Sequence, residues 1–321
     1  MSTVYRQWED ELIDSLDEVN ERTSTENETE KVQNTDVVPL SAARAAKSQV
    51  ICIASGKGGT GKTMIAANIS VLLAKEGLKV ALLDADFGLA NTHLLMGIDP
   101  IDDVSSILSG EKSLGDIIAE GPAGVMLVPG GSGLTELTML GDEKFRNLIG
   151  ELSHLDSMAD VTIVDLPAGI SPQVMCLLGA AHETIIVITP EITSLVDAYA
   201  LIKSLARMSD KITAHVIVNR APDKSRADVA FQKISSVANK HLGDRVSLKY
   251  MGWIPQNWYV LNSVACRKPL VMRHPQSFAT ACFELMAAKI IKNHLRWREY
   301  QSQSFAHPSY FGKLEKMIYG R

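Results

Sequence analysis

At 321 residues, with hydrophobic residues at 46% and charged residues at 21%, the chain has the composition of an ordinary α/β protein, enough for one large domain or two small ones. No run approaches the roughly 18 apolar residues a spanning helix requires. The opening "MSTVYRQWEDELIDSLDE" lacks a basic segment followed by an apolar one, so neither an integral membrane protein nor a secreted one is expected. Cys52, Cys176, Cys266 and Cys282 form no CxxC pair, which points to reduced thiols in a cytosolic protein and away from a zinc or iron–sulfur centre. The net charge of −5 is unevenly spread: residues 1–40 hold 11 Asp and Glu against 3 Lys and Arg, whereas residues 203–321 hold 20 Lys and Arg against 7 Asp and Glu. The basic last third suits a solvated surface or contact with acidic protein, nucleic acid or anionic lipid.

In chain order, Trp8, Leu12, Leu16 and Val19 recur at helical spacing among acids, predicting a short amphipathic helix in an acidic extension over 1–48. Residues 21–48 are polar and poor in aromatics, and read as a disordered linker. Short apolar runs then alternate with helical stretches: 49–55, 79–85, 125–129, 161–166, 184–189, 214–219 and 248–255. Runs apolar on both faces fit parallel strands covered on each side by helices. The expected fold class is α/β: a doubly wound, mostly parallel sheet in one domain of about 240 residues, here placed at 49–292.

The first run leads into "SGKGGTGKT". Gly56, Lys57, Gly58, Gly59, Thr60, Gly61, Lys62 and Thr63 match the phosphate-loop pattern, with Met64 next to them as a further binding candidate, and the helical stretch "KTMIAANISVLLAKE" leaves the loop and ends at Gly77. In such a loop the backbone N–H groups curl around phosphate oxygens, and the helix N-terminus adds partial positive charge. Lys62 is expected to reach the β- and γ-phosphates of ATP, and the Thr63 hydroxyl to ligate Mg²⁺. Acids stand where two further strands end: Asp84 and Asp86 in "LLDADFGLAN", and Asp165 in "TIVDLPAG". Strand C-termini line the ligand crevice of a doubly wound sheet.

Together, K-G-G-x-G-K-T, D-x-D-x-x-x-x-N and D-x-P-A-G resemble the deviant Walker A ATPases of the MinD/ParA family, over residues 48–290. The resemblance implies a P-loop ATPase that dimerises around ATP. Lys57 is then the signature lysine that reaches the partner's nucleotide. Asp86 orients the attacking water, Asp84 supports the metal shell and Asp165 holds Mg²⁺ through water. Asn219 contacts the base and Pro255 lies beside the adenine.

Residues 190–205, 267–287 and 86–98 are similar to the branch that governs flagellar number and placement (FlhG, also YlxH or FleN). "DLPAG" stands nearer the MinD form, and the N-terminal element by which that branch stimulates an FlhF-type GTPase is not visible. The tail, 293–321, ends in "SYFGKLEKMIYGR". It places Phe311, Leu314, Met317 and Ile318 on one helical face, with Lys313, Lys316 and Arg321 elsewhere. This resembles a membrane-targeting helix for anionic lipid; a terminal helix packed on the body fits the same pattern. The resemblance implies a cytoplasmic ATPase, peripheral on the inner face of the membrane and including its pole among the sites. Its expected partners are a second copy and flagellar proteins: an FlhF-type GTPase, switch components or a transcriptional activator. The alternative is a ParA-like ATPase that positions DNA or another cargo.

Overall fold

The apolar runs become strands because each is hydrophobic on both faces and is followed by a segment able to cover one of them. In the computed structural model, which describes residues 47–86, 91–131, 142–303 and 309–320, the strands are β1 (Gln49–Ala54), β2 (Val80–Asp84), β3 (Ala119–Glu120), β4 (Met126–Val128), β5 (Val161–Asp165), β6 (Glu183–Ile188), β7 (Ile212–Ala221) and β8 (Val246–Pro255). They form one sheet in the order β3-β4-β2-β5-β1-β6-β7-β8. Seven strands are parallel; β3, which no apolar run announced, pairs antiparallel with β4 and has only two residues.

Helix α1 (Lys62–Lys75) follows β1. Short helices α2 (Thr92–Met96), α3 (Val104–Leu108) and α4 (Leu114–Ile117) lie between β2 and β3. Then α5 (Asp142–Leu152) and α6 (Leu155–Met158) precede β5, and α7 (Pro172–Ala180), α8 (Ile192–Met208) and α9 (Lys224–Leu242) follow β5, β6 and β7. After β8 come α10 (Trp258–Ala265), α11 (Leu270–Arg273), α12 (Phe278–Gln303) and α13 (Tyr310–Tyr319).

Alternation along each strand divides the interior into two cores. Val50, Cys52 and Ala54 of β1 face one core with α7, α8 and α9. Ile51 and Ile53 face the other, with Ile65, Ile69 and Leu73 of α1 and Phe283, Met286 and Ile290 of α12. Gly77 ends α1 at φ 88°, a left-handed value that glycine adopts without strain, and its N–H returns to the Ala74 carbonyl.

The chain divides into Met1–Ala45 and Ala46–Arg321. The first unit, with the expected helix of Trp8, Leu12, Leu16 and Val19, lies outside the described residues, as do 87–90. No helix among the described residues is long and apolar enough to cross a membrane.

The C-terminal region requires a correction. The expected boundary at 292 falls inside α12, which is continuous from Phe278 to Gln303. Nor is the apolar face of α13 open: α13 packs against α7 and α5, and Tyr310, Phe311 and Leu314 are buried in the main core. The Tyr310 hydroxyl accepts a long hydrogen bond, 3.8 Å, from the Cys52 thiol of β1. The approach to α7 is close enough that a Cβ on Gly179 would come within 2.4 Å of the Met317 methyl. Met317 and Ile318 remain 37% exposed. The helix and its apolar face are present, but protein covers most of the face expected for lipid.

Truncating a buried aromatic costs about 3–5 kcal/mol, and a surface substitution usually well under 1. Phe311→Ala is therefore expected to lower the urea-unfolding free energy by about 3 kcal/mol. Ile318→Ala should change it by less than about 1 kcal/mol. Equal, small effects for both would show that α13 is not docked in solution.

Candidate nucleotide-binding site

Every residue singled out for chemistry lies at the C-terminal edge of the parallel strands. The loop 55–61 joins β1 to α1, with Gly59 at φ 74° and Gly61 at φ 93°. Both values favour glycine, and Gly61 also lies where a Cβ would come within 2.3 Å of the Asn219 amide nitrogen. Gly56 is required by contact: a Cβ there would meet the Asp197 backbone of α8 at 2.2 Å. The Ser55 hydroxyl closes the loop by donating to the Lys57 carbonyl at 2.7 Å. Gly58 and Gly59 have open space on their Cβ side, so a ligand can approach the backbone there.

Lys62 opens α1 and is buried. Burial lowers its pKa, and Asp165 and Asp86 push it back up. The parallel register sets Asp84 of β2 directly beside Asp165 of β5. Asp84 accepts from the Asp86 and Thr92 N–H groups, each at 3.1 Å. Asp165 accepts from the Thr92 hydroxyl at 3.5 Å, while its Oδ1 has no partner. Desolvation and the neighbouring Asp84 raise the Asp165 pKa to about 7.

The donor set suits Mg²⁺: hard oxygens, a Thr63 hydroxyl near enough to Asp165 to lower its pKa, an unpartnered buried carboxylate oxygen and a second acid at its side. Thr60 Oγ1 is likewise buried without a partner inside the glycine cradle. The residues present fit a phosphate chain and its cation.

The remaining candidates divide. Asp86 sits at the rim of the cradle, one residue before the stretch outside the description. Asn219 ends the regular part of β7, but its amide donates to the Thr60 carbonyl at 2.6 Å, so in this state it braces the loop. Pro255 ends β8, paired with Ala221. The Met64 side chain belongs to the core beneath α1, so only its backbone N–H can serve the cradle. Lys57 does not point into the site of its own chain. Its ammonium, at the exposed rim, is 3.0 Å from Glu191 Oε2 and 2.9 Å from Thr193 Oγ1, at the start of α8.

Sequence reasoning missed Thr92, which bonds both buried acids, and the Glu191–Thr193 pair. Thr92 directly follows Asn91 of the D-x-D-x-x-x-x-N motif, and that adjacency was the only available signal. Nothing local announces a contact between residues 57 and 191.

Residues 51–269 match the family model described as the CobQ/CobB/MinD/ParA nucleotide binding domain. The chain belongs to the MinD/ParA family of ATPases. It is 36% identical to the antiactivator FleN of Pseudomonas aeruginosa over 75% of this chain and 86% of that one. It is 31% identical to the flagellum site-determining protein YlxH of Helicobacter pylori, over 76% and 82%. Among solved structures, the septum site-determining protein MinD of Pyrococcus horikoshii complexed with Mg-ADP superposes with a TM-score of 0.63 at 26% identity, covering 77% of this chain and 97% of that one.

The raised Asp165 pKa has a sign that can be measured. An unfolded Asp titrates near 3.9. Between about pH 4 and about pH 7 the folded state therefore holds the extra proton, and stability falls as pH rises through that window. Asp165→Asn removes this loss. In urea denaturation without nucleotide, the variant should exceed the wild type by up to about 4 kcal/mol at pH 8 and match it near pH 4. A variant less stable than wild type at pH 8 would show that the carboxylate is already compensated.

Proposed function

We propose that this protein is an ATP-driven spatial switch that sets the number and placement of flagella. In this reading it cycles between a cytosolic monomer and an ATP dimer on the inner face of the cytoplasmic membrane. The observation that carries it is the contrast between two lysines of one loop. Lys62 is buried at the start of α1, where it serves its own nucleotide. Lys57 is 40% exposed and paired with Glu191 at the start of α8, outside its own site, which supports a role toward a second copy. A cation delivered across a dimer adds transition-state stabilisation only when two copies meet, which ties hydrolysis to assembly.

The work divides among the chain's own groups. Loop N–H groups and Lys62 hold the β- and γ-phosphates of the substrate ATP. Asp86 orients a water for in-line attack on the γ-phosphorus; the bond to the β–γ bridging oxygen breaks and ADP leaves. The Thr63 hydroxyl, with Asp84 and Asp165 around it, would hold Mg²⁺, which would neutralise phosphate charge. Asn219 is released from Thr60 as the base enters beside it and Pro255.

The membrane step rests on α13. Met317 and Ile318 are partly exposed, but Phe311 and Leu314 can join a lipid face only after α13 leaves α7 and α5. Two helices on one dimer bind far more tightly than one, so the bilayer competes best for the ATP state. The flagellar output is supported by the relatives named an antiactivator and a flagellum site-determining protein. The partners proposed are a transcriptional activator, an FlhF-type GTPase or a flagellar switch component.

Lys57→Ala should bind ATP nearly as wild type but lose ATP-dependent dimerisation and most hydrolysis, whereas Lys62→Ala should lose nucleotide affinity. Asp86→Ala should trap the dimer. Nucleotide titration, light scattering and phosphate release separate the three. A full ATP dimer of Lys57→Ala would refute the role in trans.

Wild type should sediment with anionic liposomes only with ATP, and less so as salt rises. Ile318→Ser, which leaves Tyr310, Phe311, Leu314 and the contact of Met317 with Gly179 in place, should reduce this. Salt-sensitive DNA binding without liposome binding would favour the cargo-positioning alternative.

A further inference from the structure

Thr92 opens α2 and is fully buried. The first N–H groups of a helix have no carbonyl partner within it. That of Thr92 finds an acceptor outside, Asp84 Oδ2 at 3.1 Å. A threonine hydroxyl deeper in a helix commonly returns to a carbonyl one turn back. The first position of α2 has no helical carbonyl behind it, and the Thr92 hydroxyl donates instead to Asp165 Oδ2 of β5, 73 positions away in the chain.

These bonds sort the four oxygens of the two buried acids. Asp84 Oδ1 accepts from the Asp86 N–H and Asp84 Oδ2 from the Thr92 N–H, so both are engaged by backbone. Asp165 Oδ2 is engaged by the Thr92 hydroxyl. Asp165 Oδ1 is buried with no hydrogen-bond partner among the described residues. A carboxylate turns readily about its terminal torsion, so a donor fixed on one oxygen selects which oxygen stays open. A buried acceptor left open is costly unless a ligand completes it.

We propose that Thr92 is a positioning residue for the cation of this ATPase: its hydroxyl fixes the Asp165 carboxylate so that Oδ1 is the oxygen presented to Mg²⁺ and its water. The inference rests on the reading of Asp165 as the acid that holds Mg²⁺. Groups that orient a metal-binding carboxylate govern metal affinity by about 10- to 100-fold. Thr92 also holds Asp84, and Asp84 holds the Asp86 backbone. One side chain thus stands between the acid for the cation and the acid proposed to orient the attacking water.

The test uses the full chain with Thr92→Val, Thr92→Ser and Asp165→Asn. Valine keeps the shape and the backbone N–H and removes the hydroxyl; serine keeps the hydroxyl. Binding of a fluorescent ADP analogue is measured in EDTA and again as Mg²⁺ is raised. Free Mn²⁺ is counted by electron paramagnetic resonance in the presence of ADP. In EDTA, Thr92→Val should bind nucleotide as tightly as wild type, because the loop N–H groups and Lys62 are untouched. It should need about tenfold more Mg²⁺ for half of the gain in affinity, and hold Mn²⁺ more weakly by a similar factor. Thr92→Ser should stay near wild type. ATP hydrolysis by Thr92→Val should recover as Mg²⁺ reaches saturation, placing the loss in the Mg²⁺ requirement and not in kcat.

A wild-type Mg²⁺ requirement in Thr92→Val would overturn the proposal. So would a Thr92→Ser protein as impaired as Thr92→Val, or a Thr92→Val protein that binds nucleotide poorly in EDTA, since either makes Thr92 a packing residue. Asp165→Asn separates this from the reading beneath it. If Asp165→Asn raises the Mg²⁺ requirement and Thr92→Val does not, Asp165 stands and the role of Thr92 falls. If Asp165→Asn leaves the requirement unchanged, Asp165 is not the acid for the cation, and both fall.

Discussion

The site is organised by one electrostatic constraint. Parallel pairing of β2 with β5 forces Asp84 and Asp165 side by side at the sheet edge, both buried. Two carboxylates in a low-dielectric setting cannot both ionise cheaply, and Asp165 accordingly holds its proton up to about pH 7. Lys62, itself buried, offsets only part of this charge. Thr92 spends its N–H on one acid and its hydroxyl on the other, and one Asp165 oxygen still lacks a partner. Residual negative charge beside a cradle of N–H groups is the condition under which a cation and a phosphate chain bind together.

Helix α8 connects this site to the rest of the molecule. Its backbone at Asp197 sets how near Gly56 can come, and so fixes one wall of the loop. Its first residues, Glu191 and Thr193, hold the Lys57 ammonium at the rim. One helix therefore meets both the nucleotide loop and the lysine proposed to act in trans.

The opposite economy governs α13. An amphipathic helix at a chain end has several places to put its apolar face, and here α5 and α7 accept most of it. Burial of Tyr310, Phe311 and Leu314 against the main core competes with any bilayer for the same side chains. Membrane affinity in such a design is a difference between two burial energies, so small changes in docking shift it strongly.

Much of this was legible in the chain alone, because it is written in local spacing. The glycine and lysine pattern from Gly56 to Thr63 specifies a phosphate loop wherever a strand enters and a helix leaves. The continuous apolar runs specify buried parallel strands, and Asp84, Asp86 and Asp165 at their ends lie at the crevice by topology. Tertiary structure decided what spacing cannot encode. The two-residue β3 has too few residues to show a period, and it exists only because β4 offers an edge. The face of Phe311, Leu314, Met317 and Ile318 has the same periodicity whether lipid or protein covers it; only the proximity of α7 and α5 assigned it to protein. Lys57 reads as a loop cation in sequence, and its bond to Glu191 spans 134 positions. Contacts of that separation are set by which strands neighbour one another in the sheet, and no local pattern of residues carries that order.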